Sequence, residues 1–276
     1  MEKITTTIHY YLVSHPLISN FHFNHPQTFA SSPQFLLTTL FTYLSLTLLL
    51  SKTLIPTTTT TPSSPSTLLR RISTFHNLIL LLLSFLMAVG CTLSTLTLPS
   101  HHLIFCFPPS QSPSGPIFFW AYIFYLSKIL EFIDTLLIIL YRDTRRLSFL
   151  HVYHHSVVLV MCYVWLYTSQ SLIAIALVTN ASVHVFMYGY YMLCAMGRKP
   201  RWKKVVTDCQ IVQFVFSFGV SGVMLWYHFS GEGCSGIWGW VFNAVFNASL
   251  LALFTNFHTK NYSSSSTTQS KIKKKI

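Results

Sequence analysis

FLHVYHHSVVLVMCYVWLYTSQSLIAIALVTNASVHVFMYGYYMLCA, residues 149–195, contains two apolar runs separated only by the turn Thr168 to Ser171. Each run is close to the ~20 residues an α-helix needs to cross hydrocarbon. Each also carries imidazoles: His151, His154 and His155 in the first, His184 in the second. Ionisable side chains at membrane depth are costly, turn toward the protein interior and take a functional reading by default. The stretch therefore reads as two membrane helices whose inner faces form a reactive centre.

Composition supports this outward from the centre. The chain has 276 residues, 51% hydrophobic and only 9% charged, where a soluble domain carries roughly a quarter charged residues. Runs near spanning length occur at 35–55, 77–98, 117–140, 149–168, 171–194, 205–228 and 236–257. The expected fold is an all-α polytopic membrane protein with seven transmembrane helices over residues 35–257. Residues 1–34 form a lumenal N-terminal segment and residues 258–276 a cytosolic tail. No cleavable signal peptide is evident, so the first span serves as targeting signal.

Of the eighteen Lys and Arg, all but Lys3 and Lys128 fall in loops on one side of this scheme, sixteen residues in total. The positive-inside rule puts that side in the cytosol, with the N-terminus across the membrane. The net charge of +12 is thus a topology signal rather than a nucleic-acid footprint. The tail ends Lys273-Lys274-Lys275-Ile276, which looks like a dilysine retrieval signal of the endoplasmic reticulum. The other reading is a basic patch attracted to anionic lipid.

Of the six cysteines, Cys91, Cys162, Cys194 and Cys209 lie in or beside spans and read as packing residues. Cys106 and Cys234 both map to non-cytosolic loops, where an oxidising lumen permits a disulfide. No zinc-type spacing is present, and no metal site is expected.

In the third segment Lys128, Glu131, Asp134 and Thr135 share an arc of roughly 120° at helical period. A lysine with two carboxylates compensates charge internally, and the surplus carboxylate suits a shell that orients histidines; the bland reading is a packing ion pair. His151, His154 and His155 again share one face. Asn180, His184, Met187, Tyr188 and Tyr191 form a polar stripe on the fifth segment. The short turn predicts antiparallel packing of the fourth and fifth segments. His154 and His184, fourteen and thirteen residues from that turn, then reach the same depth. Thr207, Gln210 and Gln213 open the sixth segment as a polar mouth. Arg142, Arg145, Arg146, Lys203 and Lys204 are its cationic rim, with positive-inside anchoring as the bland alternative.

Together KILEFIDT (128–135), FLHVYHH (149–155), NASVHVFMYGYY (180–191) and TDCQIVQ (207–213) resemble the ELO family of very-long-chain fatty acid elongases. LFTNFHTKNY (253–262) is a weaker match. Arg146 stands where the family usually has glutamine and His258 where tyrosine is common. The run TTTTTPSSPST (57–67) looks like a loop expansion.

The resemblance implies seven transmembrane helices, six of them enclosing an acyl-chain tunnel. It implies condensation of an acyl-CoA with malonyl-CoA to a 3-oxoacyl-CoA, without metal or other cofactor, in the endoplasmic reticulum. It implies partnership with the reductases and dehydratase of the elongation cycle, and leaves a homodimer open. With no Cys or Ser motif, an imidazole is the available nucleophile. His154 is expected to take the acyl group, His184 and Asn180 to stabilise or protonate developing charge, and His151 and His155 to orient the reacting ring, with Glu131 and Asp134 behind them. The cationic rim, with Lys128, Tyr188, Tyr191, Thr207, Gln210 and Gln213, is expected to bind substrate. Bulky residues at the closed end of the sixth and seventh segments are expected to limit product length. The rivals are a di-iron membrane desaturase or hydroxylase and a seven-helix receptor or lipid transporter.

Overall fold

The structure is a computed structural model that describes residues 2–55, 66–198 and 200–263. Residues 57–65 of the loop expansion, Lys199 and the lysine-ended tail lie outside the described residues. The architecture is helical: α1 (Glu2–His9), α2 (Pro16–Ser19), α3 (Pro33–Leu54), α4 (Thr67–Leu96), α5 (Pro116–Leu130), α6 (Phe132–Leu140), α7 (Phe149–Tyr167), α8 (Ile173–Ala195), α9 (Lys203–Ser230) and α10 (Ile237–His258). Among the described residues the one β contact is an isolated bridge between His22 and Ser114.

Helix starts follow local chemistry. Ser32, Ser66 and Ser148 cap α3, α4 and α7, each side chain accepting a backbone N–H three residues on. Such caps satisfy donors that the first helical turn leaves unpaired. Six helices, α3, α4, α7, α8, α9 and α10, are long and apolar enough to cross a membrane. They expose large apolar side chains such as Leu37, Phe41, Phe85, Phe186, Val212 and Trp226. A belt of that kind would be an aggregation liability in water and is the normal solvent face in lipid.

Two sequence boundaries are corrected. The third segment is not one helix: it breaks at Glu131 into α5 and α6, fifteen and nine residues long. The second segment starts not near residue 77 but at Thr67, because Ser66 caps it. Hydropathy alone misses that first stretch because Arg70, Arg71 and His76 dilute it.

Close packing joins α4 with α8, α8 with α9, α9 with α10, α10 with α7, α7 with α5, and α5 back with α4. These pairs trace a closed six-helix ring, with α6 against α5 and α7, and α3 outside against α6 and α7. The antiparallel pairing expected of α7 and α8 is therefore corrected. They leave their shared turn and diverge to opposite sides of the ring, α7 between α5 and α10, α8 between α4 and α9. A short connection constrains the helix ends, whereas packing chooses the neighbours.

The two ends of the ring differ. At one, Phe107 N donates to Ser171 Oγ, Ser171 Oγ to Ser235 O, and Ser235 N to Phe107 O, knitting three loops together. A disulfide links Cys106 to Cys234 in the same knot. The N-terminal segment folds onto this end. Phe23 N donates to Pro113 O, and the Trp120, Tyr125 and Tyr163 side chains donate to carbonyls of Leu12, Ala30 and Ser31. At the opposite end gather Arg70, Arg71, Arg142, Arg145, Arg146, Arg198, Arg201, Lys203 and Lys204.

Candidate active site

The break at Glu131 turns the start of α6 into the hub of the interior. Lys128, with no exposed surface, donates to Glu131 Oε1 at 2.7 Å. His184 Nδ1 on α8 lies 3.6 Å from the same oxygen. One helical turn on, Asp134 is clamped from two sides: His76 Nε2 on α4 meets Oδ1 at 3.1 Å, and the Tyr188 hydroxyl donates to Oδ2 at 3.0 Å. The neighbouring Thr135 Oγ1 lies 2.8 Å from His151 Nε2 on α7 and 3.0 Å from the Tyr43 hydroxyl on α3. Eight residues, Lys128 to Thr135, thus tie side chains from four other helices: α3, α4, α7 and α8.

This revises the expected wiring. Glu131 serves Lys128 and His184 rather than the α7 histidines, and Asp134 serves His76 and Tyr188. It is Thr135 that reaches His151. The physical reason is the ring: α6 presents successive residues to helices that surround it, so neighbours in sequence serve different walls. Lys128 and Tyr188, expected to bind substrate, spend their polar groups on these carboxylates.

The histidines converge. His155 lies against His151 and His154, with ring centroids 4.4 and 5.5 Å away, and His154 stacks on Phe246 of α10 at 6.4 Å. Four buried atoms here make no hydrogen bond among the described residues: His154 Nδ1, His155 Nδ1, Glu131 Oε2 and Asn180 Oδ1. Buried polar atoms are nearly always paired, so a site with four unpaired ones is built to receive polar atoms from elsewhere. Among the described residues no group of three or more His, Cys, Asp or Glu is arranged to hold a metal ion.

The rim residues divide. Arg146 lies over the Tyr191 ring at 5.4 Å, joining the entry of α7 to the end of α8. Gln210 Nε2 donates to Met187 Sδ at 3.7 Å across α9 and α8. Thr207 is buried, Gln213 half-buried, and Arg142, Arg145, Lys203 and Lys204 exposed. Lys204 lies 3.9 Å from Asp208, which also pairs with His258 at 3.0 Å. His258, one of the two departures from the family pattern, therefore has a partner of its own.

The sequence reading missed His76 and Tyr43. His76 stood one residue outside the assumed second span; placing the helix start at its Ser66 cap would have put it inside. Tyr43 carries no local signal, because its partner Thr135 is 92 residues away.

The family model described as GNS1/SUR4, ELO, matches residues 28–270. Fatty acid elongase A of Dictyostelium discoideum is 35% identical over 70% of this chain and 71% of its own. An elongase 3-like protein of Arabidopsis thaliana is 32% identical over 58% of this chain and 55% of its own. Very long chain fatty acid elongase 5 of Xenopus laevis is 35% identical over 55% and 51%. With a family match across most of its length, and the charged and histidine motifs meeting inside one ring, the chain belongs to the ELO (GNS1/SUR4) family.

Proposed function

We propose that this multi-pass membrane protein is a condensing enzyme of very-long-chain fatty acid elongation. It joins an acyl-CoA to malonyl-CoA and releases CO2, CoA and a 3-oxoacyl-CoA two carbons longer. The observation that carries this reading is a buried His154 Nδ1 without a hydrogen bond among the described residues, on one helix of the ring whose other helices carry the His184–Glu131–Lys128 group. The family membership supports it independently. No comparable feature favours a di-iron desaturase or a receptor.

In this mechanism His154 attacks the thioester carbonyl, the C–S bond breaks and CoA leaves as thiolate, giving an acyl-imidazole. Malonyl-CoA then loses CO2, and the resulting enolate carbon attacks the acyl carbon and expels the imidazole. Asn180 and His184, one turn apart on α8, face the malonyl thioester and stabilise its developing oxyanion. Glu131 holds His184 in register, and Thr135 does the same for His151. Arg146 and the exposed cations of the basic end hold the phosphates of CoA, for which arginine is a natural partner.

The broken pair α5–α6 is the seventh crossing, and the ring interior is the acyl tunnel. The basic end faces the cytosol by the positive-inside rule, so the disulfide-bearing end is lumenal. Residence in the endoplasmic reticulum follows from the reaction class, as does supply of product to the reductases and dehydratase that complete the cycle; a homodimer is compatible with this arrangement.

Expression in a host lacking its own elongases, with fatty acid profiling, tests the activity; products must appear with the parent chain and vanish with His154→Ala. A stoichiometric burst of free CoA without malonyl-CoA tests the covalent step. A turnover-competent enzyme with no burst removes it.

A further inference from the structure

Of the six helices long enough to cross a membrane, α3 alone stands outside the ring. Only two of its 22 residues, Leu36 and Tyr43, are buried. They are seven residues apart, two helical turns, and so share a face. Leu36 brings only hydrocarbon to that face. Tyr43, 6% exposed, brings a hydroxyl. A polar group turned inward from a lipid-facing helix is costly and takes a functional reading.

Two sets of contacts lead from Tyr43 to the histidines. The first is polar. Its hydroxyl lies 3.0 Å from Thr135 Oγ1, and the same Oγ1 lies 2.8 Å from His151 Nε2. Thr135 is 1% exposed, so almost no water competes for its single proton. The second is aromatic. The Tyr43 ring stacks on Phe132 with centroids 3.9 Å apart and planes 12° from parallel. Phe132 in turn meets the His155 ring at 6.5 Å, steeply inclined to it. One residue outside the ring therefore reaches His151 through Thr135 and His155 through Phe132.

The polar route can set a tautomer. Of the two hydroxyls the phenol is the more acidic, and it donates to Thr135 Oγ1. The one proton of Thr135 is then directed at His151 Nε2, which accepts it, and the ring proton of neutral His151 stays on Nδ1. Without the phenol, Thr135 is free to turn its proton elsewhere or to accept from the other tautomer. Which nitrogen of an imidazole carries the proton is decided by the hydrogen bond the other one makes.

Resting on the elongase reading, we propose that Tyr43 is a positioning residue of the condensation. Through Thr135 it fixes the tautomer and orientation of His151, and through Phe132 it seats His155. The outlying helix α3 is then a working part of the site as well as a membrane span.

The test uses the purified full chain in micelles with malonyl-CoA and a saturated long-chain acyl-CoA. Tyr43→Phe keeps the stacked ring and removes only the hydroxyl. It should lower kcat about three- to tenfold, the worth of one net hydrogen bond, with both KM values within about twofold of the parent. Thr135→Val should lower kcat at least as far, and adding Tyr43→Phe to it should cost nothing more, because the relay is already cut. In a Thr135→Ser background, which keeps the relay, Tyr43→Phe should cost its full factor. Parental kcat in Tyr43→Phe, or the same factor with and without the Thr135 hydroxyl, overturns the proposal, since a tyrosine that merely packs α3 acts equally in every background. A second measurement needs no turnover. In protein labelled with 15N-histidine, Tyr43→Phe should move the ring-nitrogen resonances that are absent from His151→Gln; unmoved resonances overturn the proposal. A parent that elongates no acyl-CoA overturns the enzyme reading instead, and the resonances still decide whether Tyr43 governs His151.

Discussion

Replacing Lys128 with Met removes the cation from a buried pair and leaves the anion behind. Its ammonium has no exposed surface, Glu131 is 2% exposed, and they meet at 2.7 Å. At an effective dielectric of about 20, a pair at that distance attracts by roughly 6 kcal/mol, against which both desolvation costs must be set. Removing one partner is a different matter from removing both. Glu131 Oε2 already lacks a hydrogen bond, and its next contact is His184 at 3.6 Å. A carboxylate stranded in this way costs about 3–5 kcal/mol, a shift of roughly a hundredfold to several thousandfold in the folding equilibrium.

The assay is reversible unfolding of the purified chain in mixed micelles by a denaturing detergent, followed by fluorescence of its six tryptophans. Lys128→Met and Glu131→Gln should each be strongly destabilised, and the double variant should recover more than half of the loss. Additive losses, or single variants within about 0.5 kcal/mol of the parent, would refute the reasoning, since neighbours in one buried network must couple.

Three further outcomes follow from the geometry. His76→Leu strips Asp134 of one partner and should cost about 1–3 kcal/mol and lower kcat more than it raises KM; His76→Gln, which keeps a donor, should restore both, and equal losses in the two variants would count against the clamp. Gly90→Ala drives a methyl into the Trp120 indole and should cost about 1–3 kcal/mol by overpacking. In a Trp120→Phe background the added penalty should shrink, and an unchanged penalty in unfolding measurements would show that α4 and α5 do not meet there. The Cys106→Ser/Cys234→Ser variant should lose the reductant-sensitive gel mobility of the parent and unfold at lower temperature. A parent whose mobility ignores reductant would be inconsistent with the bond.

Much of this protein is local and was legible without coordinates. Hydropathy at spanning length marks the membrane helices, and the 3.6-residue period places Lys128, Glu131, Asp134 and Thr135, or His151, His154 and His155, on common faces. These are consequences of helix geometry within a few residues. The motif 128–135 reads as one polar unit, but its break at Glu131 does not show, since four of the seven residues from Lys128 to Asp134 are apolar and favour an uninterrupted helix. Chain order likewise suggested α7 beside α8.

What only the tertiary structure decided is which surfaces meet. His76 reaches Asp134 across 58 positions, and Tyr188 reaches the same carboxylate across 54. Helix periodicity carries no information at such separations. The closed ring sets α7, which carries His154, and α8, which carries His184, on opposite walls rather than along a shared seam. The sequence supplied the reactive groups and their depth in the membrane. Long-range packing, which depends on the shapes of all six walls at once, chose their partners.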